Sequence, residues 1–160
     1  MGTRSTIALE FADGTVQQVY CHWDGYLEHN GKILFENYSN PFILRDLIDL
    51  GDLSSLRPTI GTKHAFSQFD LPKEEVEAFV KLTEDMCTFY GRDRGENGAS
   101  AKKFKDFEDY KANHQYEEYE YILRNVNGVA TWFVSKHDGP YVSLEEALAT
   151  ILKIEQEETV

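Results

Sequence analysis

The chain has 160 residues, 41% hydrophobic and 13% aromatic, which supports one packed core and excludes a disordered segment. Sixteen Lys and Arg against 28 Asp and Glu leave a formal charge of −12, a field that repels nucleic-acid phosphates and anionic membranes. No window carries the apolar run of a membrane span, and residues 1–6 lack the apolar core of a secretory signal.

Ile7, Leu9 and Phe11 alternate with Thr6, Ala8 and Glu10, a period-two strand over 5–11. Ala12-Asp13-Gly14 supplies a tight turn, and the return strand runs over 16–23 with Val19, Cys21 and Trp23 on one side. Residues 27–38 read as a short helix despite Gly31. Asn40-Pro41 is a cap and first turn for a helix over 42–50, and Gly51 is its stop. Residues 52–71 read as irregular, with one turn at 53–56. Glu74 and Glu75 open a helix that buries Val76, Phe79 and Val80. Residues 86–90 form a short strand leading into a glycine-rich loop over 91–98, and Ser100 caps a helix over 101–112. A second hairpin, about 116–124 and 129–136, turns at Asn127-Gly128. Ser143 with Glu146 is a capping box for a last helix whose apolar face is Leu144, Ala147, Leu148, Ile151 and Leu152. Two antiparallel hairpins with helices between and after them specify a single α+β domain over 1–160, a sheet packed by several helices.

Three stretches carry chemistry. In the first, Tyr20-Cys21-His22-Trp23-Asp24-Gly25-Tyr26 with His29-Asn30-Gly31, the residues His22, Asp24 and His29 make a conceivable two-histidine, one-carboxylate metal set, hence a metal-dependent hydrolase. Against this, Cys21 and His22 point to opposite faces of a strand, and no ligand spacing is diagnostic. In the second, Arg92 and Arg94 stand among the glycines of 91–98 as forked donors for phosphate, with Trp23, Tyr26 and Tyr90 as rings for a base. That spacing is neither a P-loop nor a dinucleotide fingerprint. In the third, Glu117, Glu118 and Glu120 alternate with Tyr119 and Tyr121, an acidic, ring-bearing face for a basic partner. Cys21 and Cys87 have no CxxC spacing and read as reduced, partly buried thiols of a cytosolic protein. Neither GxSxG nor a recognisable Cys-His signature occurs, so binding is favoured over catalysis and no cofactor is called for.

Thr3-Arg4-Ser5-Thr6-Ile7-Ala8, Tyr20–Tyr26, His29-Asn30-Gly31 and Thr88-Phe89-Tyr90-Gly91-Arg92-Asp93-Arg94-Gly95 resemble a family of small bacteriophage and mobile-element proteins, to which no transferable reaction or ligand attaches. The resemblance implies a protein made in the cytoplasm of an infected bacterium. By analogy it also implies an accessory role in binding a host factor, such as a defence component. The expected partner is a host protein with a basic surface. A nucleotide-like ligand is the alternative, and direct nucleic-acid binding is disfavoured by the charge.

Overall fold

In the computed structural model, which describes residues 2–158, the first hairpin forms where the alternation places it. Strands β1 (Ser5–Glu10) and β2 (Val16–Cys21) pair antiparallel with Ile7 opposite Val19. The turn is held by the Asp13 carboxylate, which accepts from the backbone and side chain of Thr15, and by Gly14 at φ 91°. The second hairpin, β6 (Tyr119–Val126) and β7 (Val129–Lys136), reverses at Asn127 and Gly128. Both turn residues have positive φ, as a two-residue turn matched to strand twist requires.

The two hairpins share one sheet. β1 and β6 lie side by side in parallel, Ile7 against Tyr121 and Leu9 against Leu123. Four further strands are short: β3 (Leu53–Ser55), β4 (Thr88–Phe89), β5 (Lys102–Phe104) and β8 (Val142–Ser143). The mixed eight-stranded sheet runs β4-β3-β2-β1-β6-β7-β8, with β5 also paired to β2.

Of the helices, α2 (Pro41–Asp49) is the clearest product of its sequence. Asn40 accepts from the Phe42 N–H, Pro41 takes the first turn, and Gly51 at φ 85° ends it. A single wide turn, Leu27–Gly31, winds into α1 (Lys32–Asn37). Gly31 lets the turn pack closely there: a Cβ would sit 3.2 Å from the Tyr121 hydroxyl, a tight contact. One half of the capping box forms at the start of α6 (Leu144–Glu158), where the Glu146 N–H donates to Ser143 Oγ.

Four expectations are corrected. Residues 53–55 are strand, drawn out by β2 on one side and β4 on the other. Residues 101–112 divide into β5 and α5 (Phe107–Asn113), because Val16 and Gln18 of β2 pair with Phe104 and Lys102; Asp106, not Ser100, is the cap. Helix α3 (Val76–Thr83) forms, but it buries no residue fully and leaves Val80 exposed. The second strand stops at Cys21, so Trp23 lies 43% exposed.

The larger core lies on one face of the sheet, where Ile7, Leu9, Tyr121 and Leu123 meet Leu34 of α1, Leu44, Leu47 and Ile48 of α2, and Leu144 of α6. The smaller core lies on the other face, where Ala8, Val16 and Ile122 meet Phe104 and Tyr110.

Candidate functional site

The chemically dense stretch around residues 20–30 is a structural junction. Asn30, fully buried, donates to Ser5 Oγ at 3.2 Å, Cys21 Sγ at 3.4 Å and the Trp23 carbonyl at 3.3 Å, and meets His29 Nδ1 at 2.9 Å. Asp24 takes φ 57° and Gly25 donates to the Thr3 carbonyl; a Cβ on Gly25 would lie 2.7 Å from that of Ser5. The knot ties the start of β1 to the end of β2. His22 is engaged through Nδ1 with the Tyr20 hydroxyl at 2.7 Å, and Tyr26 lies 6.1 Å from the His29 ring. Among the described residues no three His, Cys, Asp or Glu gather at metal-ligand spacing, so His22, Asp24 and His29 are not brought together. Burial, opposed by the Asn30 hydrogen bond, pushes the Cys21 thiol up to about 12, and burial raises Cys87 as well. Both thiols are free and enclosed.

The 91–98 stretch is likewise committed. It folds as one turn of helix, α4 (Tyr90–Arg94), ended by Gly95 at φ 71°, with the Gly95 and Glu96 N–H groups bonded to the Gly91 and Tyr90 carbonyls. Arg92 turns inward, over the Phe89 ring, and donates to the carbonyls of Ile60, Gly61 and Cys87 and to Asp93. Buried Asp93 also accepts from the N–H groups of His64 and Phe89. Arg92 therefore fastens the 60–64 segment to β4, and its fork is not presented to a ligand. Arg94 is half exposed, but it pairs with Glu96 and lies over the Phe66 and Tyr90 rings.

The acidic, ring-bearing face expected at 117–121 does not form, because β6 is an inner strand covered on both sides. Tyr121 is fully buried and donates to the Gly25 carbonyl at 2.6 Å. Tyr119 is half-buried, stacked 6.3 Å from Tyr121. Glu120 is buried on the opposite face, Glu117 accepts from Gln115, and Glu118 alone is exposed.

Glu120 belongs to a cluster that sequence reasoning missed. His114 Nε2 meets Glu120 Oε2 at 2.5 Å, and His114 Nδ1 meets the Tyr110 carbonyl at 2.5 Å. With Glu120 ionised both partners are acceptors, and the ring then carries hydrogen on both nitrogens as an imidazolium. Tyr110 stacks on it at 4.5 Å, Tyr116 closes over it at 4.2 Å, and the Tyr141 hydroxyl donates to Glu120. Burial pulls the His114 pKa down, but the hydrogen bond and charge of Glu120 outweigh it and the net displacement is upward. No local pattern around His114 signals the pair; it exists because α5 is laid across β6.

An apolar groove of about 370 Å³ with a charged rim lies between α1 and α6. Lys32, Phe35 and Glu36 line it from α1, and Glu28 from the preceding turn; Glu145, Leu148, Ile151 and Leu152 line it from α6. The spacings place each set on one helix face. Leu148 and Ile151 are half-buried and Leu152 is 58% exposed, so the stripe is wider than the core below it needs. Glu28, Glu36 and Glu145 form no ion pair with a described residue. The apolar stripe of α6 was the sequence signal; its excess over the core was not legible.

No family model matches the chain, and neither a curated protein nor a solved structure matches it.

Proposed function

We propose that the protein acts by binding, and that it seats a basic amphipathic helix of a partner protein in the groove between α1 and α6. The observation that carries this is the pairing of an apolar floor, Phe35, Leu148, Ile151 and Leu152, with three uncommitted carboxylates at its rim. A helix laid in such a groove buries its apolar stripe while Lys or Arg at its flanks meet the rim acids. The net charge of −12 speeds the approach of a basic partner and repels acidic ones. In the setting the resemblance implies, the partner is a host factor of an infected bacterium, and its capture disables it.

The test captures partners from host cells on the tagged protein and on a Leu148→Asp/Leu152→Asp variant that retains its circular dichroism. The expected outcome is a stoichiometric basic protein that the variant fails to hold and that elutes as salt rises. A partner retained equally by the variant, or a groove closed by a second copy in sedimentation experiments, overturns the proposal. Glu28→Gln, Glu36→Gln and Glu145→Gln together should weaken binding about tenfold at low salt and much less at high salt.

A further inference from the structure

The hairpin turns at Ala12 and Gly128 flank the first turn of α2. An apolar hollow of about 460 Å³ opens there, within the range of small-ligand sites. Its walls include Leu9, Phe11, Leu123, Ala130 and the ring of Phe42, which is 69% exposed.

Three charged residues border the hollow, but Glu10 and Arg124 turn their side chains to the opposite face of the sheet, that of the smaller core. There Arg124 and Glu10 satisfy each other, Nε and Nη2 meeting one carboxylate oxygen at 3.2 and 3.0 Å, with the Arg124 guanidinium carbon 3.6 Å from the centre of the Phe107 ring. Arg45 pairs with no acid among the described residues and stands 5.6 Å from the Phe42 ring. Of these three, Arg45 is thus the one charged side chain on the hollow's own face of the sheet, and it is a guanidinium.

We propose that this hollow binds a small amphipathic carboxylate, with its aliphatic or aromatic body against Leu9, Phe11, Leu123 and Ala130 and its carboxylate on Arg45. The guanidinium fork matches a carboxylate's two oxygens. A monoanion suits a single cation better than a phosphate dianion does, since the chain's strong negative field opposes each further charge. A cationic amphiphile finds no free acid in the wall.

Decanoate, decanol and decyltrimethylammonium are titrated into the protein by calorimetry, with Arg45→Gln and Ala130→Trp as variants whose fold is checked by circular dichroism. Decanoate is expected to bind one per chain and to lose about tenfold in affinity in Arg45→Gln, the worth of one charge-assisted contact. Decanol should bind more weakly and respond little to that change. Ala130→Trp fills the hollow and should abolish decanoate binding. Three outcomes overturn the proposal: decanol binding as tightly as decanoate, Arg45→Gln leaving decanoate affinity unchanged, or sedimentation showing a dimer that Ala130→Trp dissociates. The α1–α6 groove shares no residue with this hollow, so either proposal can fail alone.

Discussion

The two faces of the sheet bury their surface by different means. One is closed by α1, α2 and α6 over aliphatic and aromatic side chains. The other is covered by the seven-residue α5 and by Tyr141, and there Thr6, Gln18, His114, Glu120 and Ser135 are buried among a few rings. The polar face of an alternating strand is therefore not always the wet one. Where a strand is internal and a helix crosses it, polar side chains must find partners, and His114 and Glu120 find each other. The Thr6 hydroxyl and Glu120 Oε1, carried by residues paired across β1 and β6, accept or donate to no described residue.

Mutations can break this contrast. The largest effect is expected for Glu120→Ala, which strands a buried imidazolium and should cost about 3–5 kcal/mol in urea unfolding. A cost below about 1 kcal/mol would mean the pair is hydrated, and the contrast would collapse. Leu47→Ala, on the aliphatic face, should cost about 2–5 kcal/mol through the cavity it leaves. The double change His114→Phe/Glu120→Leu sharpens the comparison. It removes both charges at similar bulk, so it should be milder than Glu120→Ala alone.

pH should act on one face only. The folded pKa of His114 is raised above the ordinary 6.5, so the folded chain holds its proton more tightly than the unfolded one. The stabilisation is complete below about pH 6.5 and is lost as pH rises through the folded pKa. Urea midpoints across this window should fall for the parent and stay flatter for His114→Phe/Glu120→Leu, while Leu47→Ala keeps the parent's slope. The smallest effect is expected at the cap of α5: Asp106→Ala frees the Asp109 N–H and should cost about 1 kcal/mol in thermal unfolding.

Local pattern made both hairpins and α2 legible, because period-two alternation, Asn127-Gly128 and Asn40-Pro41 each act within a few residues. It also placed a strand at 86–90, where β4 forms, but it could not reveal β3 and β5, which are three residues long and are strands only through their neighbours. The same limit governed the sites. Arg92 reads as an anion fork until the carbonyls of Ile60 and Gly61 arrive from far along the chain. Tyr121 and Glu120 read as surface until β1 and β7 enclose β6. The groove was half legible, since the apolar stripe of α6 was visible but not the part of it left unburied.

Placing the first strand beside the sixth has a consequence for biosynthesis. The amino-terminal hairpin leaves the ribosome with the inner side of β1 bare, and its complement begins only at Tyr119. Until then, that flank offers unsatisfied amide and carbonyl groups to any nascent neighbour, so a translational stall between the hairpins would expose a nucleus for aggregation. Completion of the fold is thereby timed by the arrival of the second hairpin.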